Sequence, residues 1–207
     1  MSLTDTQIWD LADRMEVPLV FCGFKDELLG KKLKYNKGYI INMENEFDED
    51  GQRNTGSHYT CFQVNKYPNG KIQGLYFDSF GMPPPQVVED FVGGKLPYAT
   101  KDIQSLMNSA CGWYCLAFLH FINSSESRSG DLYTDAGQFT DLFDDLNTSC
   151  DHLKNEFILK HFFRAKDESK RKPIEIDGLG AKKGSADPES IWKEDDNIKE
   201  CINSGKL

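Results

Sequence analysis

Four residues of this chain have the types needed for nucleophilic chemistry: His58, Asp78, Gln104 and Cys111. Cys111 lies in "NSACGWYCLAFLHF", an apolar run that follows a polar stretch. Asn108 and Ser109 are good capping residues, so the spacing predicts a helix from about Cys111 to Ile122. The run is apolar almost all round, which predicts that the helix is buried. A thiol at its start faces unpaired backbone N–H groups and the positive end of the helix dipole, which favours thiolate. Gly112 behind it leaves room for a substrate backbone. Cys115, one turn deeper among Leu116, Phe118 and Leu119, reads as a packed and inert thiol.

A cysteine nucleophile needs a base, and the base needs an orienting partner. The chain has four histidines. His120 falls inside the buried helix and reads as a satisfied core residue. His152 and His161 fall on a late amphipathic helix. His58 follows Gly56-Ser57 at the start of a strand, where a ring can project into a cleft. In the turn Tyr67-Pro68-Asn69-Gly70, proline suits the first central position and glycine the left-handed one after it. That three-residue hairpin loop pairs Tyr67 with Lys71 and, carried outward, Thr60 with Asp78. His58 and Asp78 then become diagonal neighbours on one face. A two-residue loop would put them on opposite faces. The competing reading of Asp78 is a cap for the "DSFG" turn. Gln104 precedes Cys111 by seven residues, and its amide could donate to an oxyanion beside the Cys111 backbone N–H.

The elements that must carry these residues follow from periodicity and turn chemistry. "SLTDTQIWDLADRME" predicts a helix capped at Ser2 or Thr4, with Ile8, Leu11 and Met15 at helical spacing. "VPLVFCGF" and "KGYIINME" predict strands, and "HYTCFQVNKYPNGKIQGLYFDSFG" predicts two more joined by the turn. "PPPQVVEDFV" predicts a helix with prolines at its start. "SSESRSG" predicts a loop, and two further helices are expected near Asp135–Leu146 and Cys150–Lys166. Beyond Asp167 the chain is rich in charge, Gly, Ser and Pro, and reads as a tail with one short helix near "PESIWKEDDNIKEC". The expected division is therefore a domain over 1–166 and a tail over 167–207.

A chain of 207 residues suits one domain with a sizeable core, alone or with an appendage. No apolar run approaches bilayer-spanning length, so no membrane association is expected. The first residues lack a basic region followed by an apolar one, so no secretory signal is expected. The six cysteines are scattered and form no CxxC pair, which points to a reducing compartment rather than a zinc site or disulfide framework. The net charge of −9 excludes a long-range basic field for nucleic acid. Locally, "AKDESKRKP" is basic, while "ENEFDED" and "DLFDDL" are acidic.

The ordered set His58, Asp78, Gln104 and Cys111, with Gly112 after the cysteine, resembles the active-site order of the adenovirus-type (adenain-like) cysteine endopeptidases. Their clan includes proteases that deconjugate ubiquitin-like modifiers. The resemblance spans roughly Val20 to Ile122 in the blocks "FCGF" with "KDELLG", "YIINMENE", "TGSHYTCF", "LYFDSFGMPPPQVVEDF" and "IQSLMNSACGWYCLAFLHF". The last block is the most specific, and maturation proteases of virophages and virus-related DNA transposons share it. The resemblance implies an α+β, papain-like fold with the nucleophile on a central helix packed on a mixed β-sheet. It implies Cys111 as nucleophile, His58 as general base then acid, Asp78 orienting His58, and Gln104 in the oxyanion hole. Tyr59, Gly112 and Trp113 would contact substrate. It implies cleavage of viral capsid or precursor proteins after small residues, often beside glycine. That chemistry belongs in the virion, and in host cytoplasm during assembly, and needs no metal or organic cofactor.

Some positions depart from the family pattern. Tyr59 stands where the family usually has tryptophan. Asp78 replaces the glutamate of adenoviral members, as is common elsewhere in the clan. Ala110 precedes the nucleophile, where the deconjugating branch usually has aspartate, which favours the viral branch. Adenoviral members are stimulated by DNA and a small peptide, and the acidic charge speaks against DNA here. In the tail, Ile176-Asp177-Gly178-Leu179-Gly180 matches the family's cleavage preference, which would place a self-cleavage or tail-binding site at Leu179–Gly180. Three rival functions fit the same residues: an isopeptidase for a ubiquitin-like modifier, an acyltransferase, and an inactive scaffold binding capsid or peptide.

Overall fold

Four strands form one sheet in the order β1-β2-β3-β4: β1 (Leu19–Phe24), β2 (Gly38–Asn42), β3 (Tyr59–Lys66) and β4 (Ile72–Phe77). β1 and β2 run parallel, and the other two pairs are antiparallel. The computed structural model describes residues 2–106, 108–124, 129–146 and 151–163. The expected tail over 167–207, with Leu179 and Gly180, lies outside them.

The β3–β4 hairpin takes the predicted loop. Gly70 adopts φ 82°, the left-handed conformation that a residue without Cβ reaches at no steric cost. Tyr67 N–H donates to the Lys71 carbonyl at 2.9 Å, and Gly70 N–H donates to the Tyr67 carbonyl at 2.9 Å. The ladder then runs from Lys66 opposite Ile72 to Cys61 opposite Phe77, the register expected from the turn.

Both faces of the sheet are covered, which is why all five residues of β2 are buried. One face, with Ile40, Tyr59, Cys61, Leu75 and Phe77, meets α1 (Asp5–Arg14), α3 (Cys111–Asn123), α4 (Leu132–Thr140) and α5 (Asp151–Phe162). The other, with Tyr39, Ile41, Phe62, Val64 and Tyr76, packs against α2 (Gln86–Val92), Leu96 and a short 3₁₀ turn at Lys25–Leu28. On that side Tyr39 and Phe62 stack with ring centroids 4.7 Å apart, and Phe91 of α2 sits edge-on to Tyr39 at 5.5 Å.

α3 is the central helix. Ten of its thirteen residues are buried, because the sheet covers one side and α1, α4 and α5 cover the rest. Phe118 stacks on Phe77 of β4 at 4.5 Å, and Phe139 of α4 closes on both rings edge-first. α1 is held at its start by a capping box. The Thr4 hydroxyl accepts from Gln7 N–H at 3.3 Å, and Thr4 N–H donates to the Gln7 side chain at 2.9 Å.

Two helix boundaries differ from expectation. α4 spans Leu132–Thr140 instead of Asp135–Leu146. Its start is set by Asp131, whose carboxylate accepts the N–H groups of Tyr133 and Thr134, both at 3.1 Å. The same carboxylate pairs with Lys71 at 2.7 Å and Gln73 at 2.9 Å, partners from the distant hairpin. Beyond Thr140 the chain leaves the helix to bring Asp144 N–H to the Asn155 side chain at 2.8 Å. α5 covers Asp151–Phe162, within the expected Cys150–Lys166. No helix among the described residues is long and apolar enough to cross a membrane.

The loop after β4 folds against the segment that leads to α3. Gly81 has φ 69°, and a Cβ there would sit 2.4 Å from the Thr100 carbonyl oxygen. Gly81→Ala is therefore expected to lower stability by about 2 kcal/mol or more, from left-handed strain plus overpacking. Urea denaturation of the variant beside the wild type measures it. An unchanged midpoint would show that this contact is not tight.

Candidate active site

The hairpin register places His58 and Asp78 at its open end. Continuing the ladder one step beyond Cys61–Phe77 sets Thr60 opposite Asp78, so His58 lies diagonally across. His58 Nε2–H donates to Asp78 Oδ1 at 2.9 Å, and Asp78 is only 2% exposed. The same oxygen accepts Phe80 N–H at 2.8 Å, and Gly81 N–H donates to the Asp78 carbonyl at 2.9 Å. One carboxylate oxygen of Asp78 therefore both meets the histidine and closes the turn. The Phe80 ring lies over the imidazole at 4.7 Å. From the other side, Met43 N–H donates to the His58 carbonyl at 2.9 Å. Asn42 Oδ1 accepts Ser57 N–H at 3.3 Å and so fixes the approach to His58.

Cys111 is the first residue of α3 and is 4% exposed. The residue before the helix, Ala110, offers no side-chain cap. Asn108 Oδ1 accepts Ala110 N–H at 3.2 Å instead, one residue short of the helix's own amides. Tyr59 N–H donates to Cys111 Sγ at 3.4 Å. The Cys111 side chain lies near enough to His58 to raise the imidazole pKa. Since Asp78 engages Nε2, the ring nitrogen left for the thiol is Nδ1. Burial works against a charged His58, but the interactions with Asp78 and Cys111 outweigh it. The imidazole pKa is pushed up to about 9. A cationic ring beside the sulfur is placed to act as a proton donor to a leaving group.

Gln104 is buried at the edge of this group. Its Oε1 accepts from Ser79 Oγ at 2.7 Å, and its Nε2 donates to the Asn108 carbonyl at 3.1 Å. Among the described residues no group of three or more His, Cys, Asp or Glu side chains is placed to hold a metal ion.

The three expected substrate contacts are placed differently. The Cβ direction of Gly112 faces Leu3 at 3.4 Å and Ile8 at 3.5 Å, ordinary contact distances, so on that side the glycine meets α1 and the residue before its cap rather than substrate. Trp113 is buried against Phe163, edge-on at 4.8 Å, and its Nε1 has no hydrogen-bond partner among the described residues. Tyr59 is buried, with its hydroxyl donating to Asp5 of α1. It serves the site through its main chain, not as an exposed aromatic wall.

The remaining candidates fall where packing puts them. Cys115 is fully buried, and burial holds its thiol well above the ordinary range. His120 Nδ1 bonds the Met15 carbonyl at 3.0 Å, a satisfied structural histidine. His152 and His161 lie on α5. Sequence reasoning missed Asp5, Asn42, Ser79 and Asn108 as partners of the site. Ser79 carried a local signal as the neighbour of Asp78, and Asn108 carried one as a capping residue before Cys111.

No family model matches the chain, and no curated protein matches it in sequence. Among solved structures it is similar to HopZ1a in complex with IP6, at 14% identity and a TM-score of 0.37, covering 80% of this chain and 52% of that one. It is also similar to the Xanthomonas campestris effector XopD bound to ubiquitin, at 12% identity and a TM-score of 0.36, covering 77% of this chain and 91% of that one. The chain thus spans about half the length of the HopZ1a chain. Likeness this low leaves the site to be read from its own geometry.

The thiol environments predict selective alkylation. Burial, with the Asp5 charge beside it, raises the Cys22 thiol, and burial raises Cys115, while Cys61 is wholly enclosed. Iodoacetamide at neutral pH should modify Cys111 at least about tenfold faster than Cys22, Cys61 or Cys115 in the native protein. Peptide mapping after timed quenching reads this. Equal labelling of Cys111 and Cys115 would contradict the assignment.

Proposed function

We propose that the protein is a cysteine endopeptidase with Cys111 as nucleophile, His58 as general base and acid, and Asp78 as the residue that orients His58. One observation carries this reading: Asp78 holds the His58 ring, and the amide of the next residue, Tyr59, reaches the Cys111 sulfur at the start of a buried helix. The Cys111 thiolate attacks the scissile carbonyl carbon. The resulting oxyanion takes hydrogen bonds from the Cys111 backbone N–H and the Gln104 amide. The imidazolium proton passes from Nδ1 to the leaving amine as the C–N bond breaks, which leaves a thioester on Cys111. His58 then removes a proton from water, the hydroxide adds to the thioester, and expulsion of thiolate releases the new carboxyl group. In this reading the fold is papain-like, with α3 as the nucleophile helix on the mixed sheet.

The substrate class rests on the sequence resemblance. It is viral capsid or precursor protein, cut near glycine or another small residue within the assembling virion. The same triad can also release a ubiquitin-like modifier from lysine. Parallel assays with a peptide of the form aliphatic-X-Gly-X-Gly and with a fluorogenic ubiquitin-like C-terminus separate the two.

The peptide should be cleaved by wild type, with kcat/KM at least about 10³-fold lower in Cys111→Ala. Full cleavage by Cys111→Ala would end the proposal. Release of the ubiquitin-like C-terminus alone would replace endopeptidase by isopeptidase.

The pH profile follows from His58. The catalytic acid needs its proton, so kcat/KM should fall as pH rises through about 9. Asp78→Asn removes a negative charge that raises the histidine, while burial still opposes the cation. The upper limb should therefore move to lower pH, with activity at neutral pH down by roughly 10². A limb that stays in place would show that Asp78 does not set the His58 proton.

A further inference from the structure

We infer that Ser79 and Asn108 are positioning residues that lock the Gln104 amide in the orientation in which it can donate to an oxyanion. This goes beyond the proposed endopeptidase activity but rests on it. Gln104 is 1% exposed, so its amide has no solvent in which to turn. A carbonyl can only accept, so the Asn108 carbonyl at 3.1 Å fixes which end of the amide is nitrogen. The oxygen end then faces Ser79, which is fully buried and whose hydroxyl donates to it at 2.7 Å. Flipping the amide would set two acceptor oxygens against each other and leave buried groups unpaired. A primary amide has two N–H groups. Asn108 takes one, and the second is the donor that the oxyanion would use.

The main chain is held from the same place. The Ser79 carbonyl accepts Ile103 N–H at 2.9 Å and Gln104 N–H at 3.2 Å. Ser79 thus grips both ends of Gln104, one residue after Asp78 grips His58. Two adjacent residues at the end of β4 orient the base and the oxyanion donor.

Asn108 links this arrangement to the nucleophile. Its N–H donates to the Ser105 carbonyl at 3.1 Å, and its Oδ1 accepts Ala110 N–H at 3.2 Å, next to Cys111. Its Nδ2 donates to the Glu156 carboxylate of α5. The neighbouring Asn155 donates to the Ile103 carbonyl at 3.1 Å. α5 therefore holds the Gln104 loop at both ends.

The test is a double-mutant cycle of Ser79→Ala and Gln104→Ala, read by peptide hydrolysis and by Cys111 alkylation. Alkylation forms no oxyanion, so it reports the thiolate and His58 alone. Ser79→Ala should lower kcat by roughly tenfold, part of the loss expected for a whole oxyanion donor, with KM within about twofold. Its alkylation rate should match wild type. In the Gln104→Ala background, Ser79→Ala should add nothing. An unchanged kcat, a further loss in that background, or an equal fall in alkylation would each overturn the clamp.

Should Ser79→Ala not fold, Glu156→Gln on the half-buried side of α5 is measured the same way and should show a smaller kcat loss with alkylation intact. A second readout does not need turnover. The Gln104 side-chain NH2, assigned by NMR with Gln104→Ala, should be protected from hydrogen exchange in wild type and lose protection in Ser79→Ala. Retained protection overturns the clamp. Wild type that alkylates at Cys111 yet cleaves no peptide would defeat the endopeptidase reading instead, and the exchange result would still decide the clamp.

Discussion

A three-residue turn closed by left-handed Gly70 determines how β3 meets β4, and side chains along a strand alternate with a period of two. Shifting that pairing by one residue would carry His58 to the face opposite Asp78. With β3 as the strand that moves, it would also turn Cys61 out of the α3 interface and bring Phe62 into it. The core and the site therefore depend on the same register. Burial on both faces enforces it, since each face has its own apolar cluster and neither accepts the other's side chains. The end of the hairpin holds its geometry because the whole sheet would have to repack before it moved.

The second constraint is the burial of α3. A helix enclosed on all sides cannot slide or roll without opening voids. Its first residue is thereby fixed against β3, close enough for the Tyr59 amide to reach the sulfur. The same enclosure separates the thiols by depth. Cys115 sits one turn inward among apolar groups, where charge is costly. Cys111 meets an imidazole, a backbone donor and the helix start. One helix thus holds an inert thiol and a candidate nucleophile four residues apart.

How much of this was legible in the sequence depended on how local the cause was. The hairpin register followed from four turn residues, so His58 could be placed beside Asp78, and the buried helix followed from a run of apolar ones; Cys111 was joined to that pair by the family resemblance. The start of α4 could not, because its cap, Asp131, is held by Lys71 and Gln73 from a hairpin some sixty residues earlier. Gly112 looked like space for substrate because nothing nearby in sequence faces it, yet Leu3 and Ile8 do. Trp113 and Tyr59 were placed toward substrate by the family resemblance, and Phe163 and Asp5 are what they meet. The Ser79–Gln104–Asn108 bonds join segments that only the folded chain brings together.

The double use of one oxygen on Asp78 restricts what this position can become. Oδ1 closes a turn on the amide two residues ahead while it holds the imidazole across the hairpin. The side chain of aspartate is short enough to fold back on its own backbone. A glutamate carries its carboxylate one methylene farther out, so reaching the histidine would mean releasing Phe80 N–H. The acid cannot lengthen without the 78–81 turn being rebuilt, and that turn also holds Ser79 against Gln104. Substitution between the two acidic residues, conservative in charge, is here a change of architecture.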